Sequence, residues 1–172
     1  METGKLIYTI KQDAIGKGLC RLWQRKLKNG LSYKELAEMY IKGIDFCISE
    51  NFPTIDFLEE NFKGKCEEYG VFVNDQNVVC SNFSDIVLNG DCRAVLDYSG
   101  YTVSRLFARH NTKATINVFN NAIVTIDAFD KSELVVAVSG ENAQVLVNLY
   151  GDAQVECIGV GIKVRYMNKQ TY

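Results

Sequence analysis

Ala114-Thr-Ile-Asn-Val118, Ala122-Ile-Val-Thr-Ile126, Leu134-Val-Val-Ala-Val138, Ala143-Gln-Val-Leu-Val147 and Ala153-Gln-Val-Glu-Cys157 decide the fold of this chain. Each stretch opens on a small or apolar residue, alternates in polarity, and is closed by Asn, Asp, Gly or Ser. Self-similarity at a fixed spacing marks a solenoid, in which each unit buries its apolar face only by stacking on its neighbours.

Two interleaved series carry the repeat. Ala94, Leu96 and Tyr98 recur about twenty residues later as Ala114, Ile116 and Val118, then as Leu134, Val136 and Val138, and after one deletion as Ala153, Val155 and Cys157. Thr102, Ser104, Leu106 and Ala108 recur as Ala122, Val124, Ile126 and Ala128, and after one insertion as Ala143, Val145, Val147 and Leu149. Residues two apart share one face of a strand, so both series point inward, with two strand segments in each coil of about twenty residues. From about Ile86 to Ile158 this gives three to four coils, and Val71 to Cys80 starts another. A sandwich of hairpins predicts turns every ten residues but not residue-type matching at twenty.

Outward positions in the same register form ladders. In Arg93, Lys113, Glu133 the adjacent opposite charges are expected to pair at below about 1 kcal/mol. A second ladder, Arg109, Phe129, Tyr150, has Tyr101, Phe107, Ile123 and Leu146 near it, and an apolar wall of this kind calls for a cover. The N-terminal helices or the matching wall of another subunit would supply one. The expected interface residues are Phe129, Leu146 and Tyr150. Solenoid ends expose strand edges; the helical region is a natural cap for one, and the charges of Lys163-Val-Arg-Tyr-Met-Asn-Lys-Gln170 would blunt the other.

The division expected is a helical region over residues 1–66 and a β-solenoid over 67–172. A short strand is expected at Leu6 to Ile10, followed by an amphipathic helix over Lys17 to Lys28 whose basic stripe is Arg21, Arg25 and Lys28, stopped at Gly30. Ser32-Tyr-Lys-Glu35 fits a capping box, and the spacing of Leu36, Met39, Tyr40, Ile44, Cys47 and Ile48 predicts one helix to about Ser49. Pro53-Thr54 restarts the chain into a short third helix ending near Gly64. Leu31 to Glu38 looks like the first helix of a helix-turn-helix, but the same helix continues where a turn should fall, so nucleic-acid binding is not expected.

The 172 residues are 47% hydrophobic and carry a formal net charge of −2. That balance gives no global attraction to nucleic acid or anionic membrane. No stretch has the length of a membrane span and the first residues do not read as a signal peptide, so the expectation is a cytoplasmic protein with no membrane partner. Six cysteines without a C-x-x-C pair, and one histidine, His110, support no zinc site. No nucleophile elbow occurs, and Gly159-Val-Gly161 is too short for a phosphate loop. Neither enzymatic activity nor a cofactor nor a metal is expected.

The stretch from Asp91 to Ile158, with its unit Ala143-Gln-Val-Leu-Val-Asn-Leu-Tyr-Gly-Asp152, resembles the short β-solenoid repeat proteins of bacteria and their phages. The helical segment around Trp23-Gln-Arg-Lys-Leu27 ahead of such repeats is similar to small phage accessory proteins. The resemblance implies an α+β chain, helices followed by a parallel β-helix, and specifies architecture without fixing an activity. Bactofilin-type scaffolds, which polymerise, are related solenoids, but they lack this helical N-terminal third and the acidic outer positions.

The most suggestive chemical cluster is the row Tyr101, Val103, Arg105, Phe107, Arg109, with His110 and Lys113 following. Arginines among aromatics bind phosphate or carboxylate while a ring holds a planar group, so Tyr101, Arg105, Phe107, Arg109 and His110 are candidates for a small anionic ligand such as a nucleotide signal. The same residue types are enriched at subunit interfaces. The sequence thus points to a homo-oligomeric structural or interaction module, with ligand sequestration against host defence, or adhesion on a virion, as the alternatives.

Overall fold

The computed structural model describes residues 2–172, with side chains from Gly4 onward. The chain divides into two compact units, one ending at Tyr69 and the other spanning Gly70–Thr171.

The first unit is helical: α1 (Glu2–Gly16), α2 (Arg21–Lys26), α3 (Tyr33–Lys42), α4 (Ile44–Ser49) and α5 (Ile55–Asn61), then a 3-10 turn at Glu67–Tyr69. The strand expected at Leu6 to Ile10 is instead part of α1, because Leu6, Ile7, Ile10 and Ala14 fall on one buried helical face. The helix expected over Lys17 to Lys28 is confined to α2. Ser32 caps α3 in a full capping box: its hydroxyl accepts from the Glu35 N–H and Glu35 Oε2 accepts from the Ser32 N–H at 2.8 Å. The helix expected to run unbroken to Ser49 divides at Gly43, whose N–H closes α3 on Met39 and whose carbonyl opens α4 on Cys47. Thr54 caps α5 by accepting from the Phe57 N–H.

The second unit is the expected solenoid, all parallel, with about twenty residues per coil and about five coils. One sheet stacks β1 (Val71–Val73), β3 (Asp85–Asn89), β5 (Val103–Ala108), β7 (Ile123–Ala128), β9 (Gln144–Leu149) and β11 (Ile162–Tyr166). The other stacks β2 (Val78–Ser81), β4 (Arg93–Tyr98), β6 (Lys113–Phe119), β8 (Glu133–Ser139) and β10 (Gln154–Ile158). The register is the one the repeat dictates: Leu96, Ile116, Val136 and Cys157 lie one above another, as do Leu106, Ile126, Val147 and Val164. Leu96, Leu106, Ile116, Ile126, Val136 and Val147 have no exposed surface, so the two inward series form one core. The coil expected to start at Val71 to Cys80 is present as β1 and β2, and β11 carries the solenoid past Ile158, where the repeat was expected to end.

The polar residues that close each repeat build the corners. Asn74, Asn82, His110, Asn120 and Asp130 all have left-handed backbone, with φ between 50° and 61°, a conformation Asn and Asp tolerate best among side-chain-bearing residues. The side chains of Asn74, Asn82 and Asp130 tie adjacent coils together. Asn74 Oδ1 accepts from Asp91 N–H, Asn82 Oδ1 from Ser99 N–H, and Asp130 Oδ2 from His110 N–H, each at 2.8 Å. Inside the corners, the buried hydroxyls of Thr112 and Ser132 donate to backbone carbonyls, so both are satisfied.

Candidate interaction surface

The residues expected to hold an anion do not converge. Tyr101, Val103, Arg105 and Phe107 lie along one face of β5 and the turn before it, which strings them in a line rather than round a cavity. Tyr101 is exposed. Arg105 Nε donates to Asp85 Oδ1 at 2.6 Å, so its charge is already matched. Phe107 and Arg109 are buried, and Arg109 Nη1 reaches Asn89 Oδ1 at 3.4 Å. His110 is half-buried at the corner, with its Nδ1 accepting from the Gly90 N–H at 2.9 Å. Burial, then the neighbouring Arg109 charge, pushes its pKa down to about 4. The neutral ring therefore serves as a corner lock, the same task that Asn and Asp perform on other coils.

Of the residues expected at a subunit contact, Leu146 is half-buried on the outer face of β9, whereas Phe129 and Tyr150 are already buried within this chain. Their rings stack with centroids 4.5 Å apart and planes 17° apart, an offset or parallel contact that adds to their area burial. Both follow the last residue of a strand at equivalent corners, which explains why strand alternation alone did not show which way they face.

At the last coil, whose strand edge the charges of Lys163 to Gln170 were expected to blunt, the structure shows apolar residues in the core register. Val155 and Cys157 on β10, and Ile162, Val164 and Tyr166 on β11, occupy the inward register of the buried Leu134, Val136, Val145, Val147 and Leu149. Among the described residues no coil covers them. Val155, Ile162 and Val164 are only half-buried, Cys157 is exposed, and Tyr166 is 73% exposed. In the turn between the strands Val160 is exposed as well. β10 pairs only with β8 and β11 only with β9, so each sheet presents an unpaired edge here. The charges expected to blunt this end sit on the outward face of a regular strand, at Lys163 and Arg165, and leave that edge free.

Gly159-Val-Gly161, too short for a phosphate loop, has a structural role at this site. Both glycines have positive φ, 95° and 82°. A Cβ on Gly159 would meet the Val138 carbonyl oxygen, and one on Gly161 the Ala143 carbonyl oxygen, both well inside contact distance. The tight turn holds β10 and β11 down on the preceding coil, and Gly161 O accepts from the Val145 N–H at 2.9 Å. Beyond β11, Met167 N–H donates to Leu149 O at 2.9 Å and Lys169 O accepts from Gly151 N–H at 3.0 Å, which seats residues 167–169 on the corner that follows β9.

The helical unit has its own concavity, a cavity of about 310 Å³ lined mainly by Trp23, Leu36, Tyr40, Phe46, Phe52 and Phe62. Among the described residues no group of His, Cys, Asp and Glu is placed to hold a metal ion, and no helix is long and apolar enough to cross a membrane. Comparison with family models, curated proteins and solved structures finds no match to this chain.

Proposed function

We propose that this chain is a non-enzymatic structural or protein-interaction module that acts as a homo-oligomer. One observation carries the reading: the solenoid presents, on its last coil, core-register apolar residues and two unpaired strand edges together. Such a face is stable in water only when short or covered, and in solenoids it is the place where further pairing occurs. The reading as a sequestering protein for a small anion draws no support from Arg105 and Arg109, since one is ion-paired at the surface and the other is buried.

Sedimentation velocity over a range of protein concentrations tests the proposal. A discrete oligomer that dissociates on dilution is the expected result. A monomer at every concentration up to the millimolar range, with the last coil folded, would overturn the homo-oligomeric reading.

A further inference from the structure

We infer that the last coil is the contact of a closed two-fold dimer, in which β10 of each copy pairs antiparallel with β11 of the other. This deepens the homo-oligomeric reading and rests on it.

Three ways of covering the face with a second copy exist, and the charges on the strands separate them. Head-to-tail stacking would join the last coil of one copy to the first coil of the next. The first-coil strands, β1 (Val71–Val73) and β2 (Val78–Ser81), carry no charged residue, so that stacking would leave the outward charges of the last coil, Glu156, Lys163 and Arg165, without partners. Stacking therefore joins like ends and closes on itself, as an isologous contact does.

Two like-end arrangements remain, since the strands of the two sheets run in opposite directions round the coil. A two-fold axis normal to the sheets places each edge on its own copy, β10 on β10 and β11 on β11. An axis along the strands places β10 on the partner's β11. Both give antiparallel ladders, but charge distinguishes them. Glu156 is the exposed outward charge of β10; Lys163 and Arg165 are those of β11. The first arrangement sets acid beside acid and base beside base. The second sets Glu156 beside Lys163 and Arg165, twice over. Like charges across an interface are strongly unfavourable and opposite ones fix the register.

The interior coils show what these three charges lack. Lys113 pairs with Glu133 one coil away at 2.8 Å, and Arg105 with Asp85 at 2.6 Å. Among the described residues Glu156, Lys163 and Arg165 form no ion pair. The partner's last coil continues the ladder that the chain's own coils carry out elsewhere, and it covers Val155, Cys157, Ile162 and Val164 with their equivalents.

Cys157 makes the contact directly readable, because it lies in the inward register of this face and Cys20, the other exposed thiol, lies in the helical unit. With N-ethylmaleimide as the probe and Cys20 as the internal reference, alkylation of Cys157 should slow roughly tenfold as the concentration rises to about a hundred times the dimer Kd. Glu156→Lys should raise the Kd by about a hundredfold and restore the reactivity of Cys157. The triple variant Glu156→Lys, Lys163→Glu, Arg165→Glu should recover dimerisation to within about tenfold of the original. All three positions are exposed and outward, and unchanged circular dichroism verifies the fold. An oligomer that survives Glu156→Lys with Cys157 still reactive would overturn this pairing and leave the homo-oligomeric reading standing. A wild-type chain that stays monomeric, with Cys157 reactive at every concentration, would overturn both.

Discussion

The interior coils and the last coil share one register, one residue pattern and one hydrogen-bonding scheme, yet they differ in what the pattern achieves. Ile126 and Val147 lie between coils on both sides and have no exposed surface. Val164 stacks directly on Val147 but has a neighbour on one side only, and remains half-buried. An inward side chain in a solenoid is thus made hydrophobic core by the coil above it as much as by its own sequence. The last coil is held by its ladder and its glycine turn rather than by a core of its own.

The largest expected effect breaks that comparison at its buried side. Ile126→Asp places a carboxylate where no partner or water reaches, at a cost of several kcal/mol, a large part of the stability of a typical domain. Cooperative thermal unfolding of the solenoid should be lost. Val164→Asp, in the same stack two coils further on but on the open coil, should cost no more than about 1–2 kcal/mol when measured in dilute protein. Equal losses by thermal circular dichroism would show that the last coil is as enclosed as the interior.

Gly159→Ala sharpens the same contrast from the backbone. The added methyl meets the Val138 carbonyl and the residue must hold a φ of 95°, a penalty of order 1–3 kcal/mol. The loss should fall on β10 and β11 alone. Hydrogen exchange is expected to accelerate in those two strands and leave β5 to β8 unchanged; uniform acceleration would show that the coils unfold as one unit.

What the sequence made legible follows from period. Twenty-residue matching of inward residues determined the coil, the register and the core, because a shift of one residue would turn every apolar side chain outward. The capping box at Ser32 and Glu35 was equally readable. Leu6-Ile-Tyr-Thr-Ile10 was not, since its residue types favour a strand while its burial follows a helix, and tertiary packing decides such conflicts. The surroundings of the candidate anion residues were not legible, because strand alternation shows neither the Asp85 carboxylate that meets Arg105 from the neighbouring coil nor the burial of Arg109. The open last coil was hidden because Val155, Ile162 and Val164 look like core residues in a linear reading. Exposure there depends on which coil is last to stack, and alternation within a strand does not reveal that.

A smaller effect tests the corners. His110 accepts from Gly90 N–H through Nδ1, so protonating that nitrogen would set two N–H groups against each other. The folded chain takes up the proton only near pH 4, whereas the unfolded chain does so near 6.5. Between those values the unfolded state holds more protons, so stability is intact above about pH 6.5 and declines as pH falls toward 4. His110→Asn, which suits the left-handed corner as Asn120 does, should remove that part of the decline. A variant whose melting temperature falls with pH as steeply as the wild type would show that the His110 proton is not its source.

The smallest effect concerns the outer wall. Lys113 and Glu133 stand on adjacent coils with Nζ and Oε2 2.8 Å apart, and both side chains are about half exposed, at 51% and 55%. Water and salt screen such a pair, and two long side chains lose freedom to hold it, so a double-mutant cycle to Ala should give a coupling below about 1 kcal/mol. Raising the salt to about 1 M, where the Debye length is ~3 Å, should remove most of it. The pairing inferred for Glu156 with Lys163 and Arg165 has the same chemistry on the same outer wall, so each contact should give a coupling of similar size and be screened by salt alike. No coupling across the dimer contact, where the interior wall shows one, would mean that Glu156, Lys163 and Arg165 are solvated rather than paired.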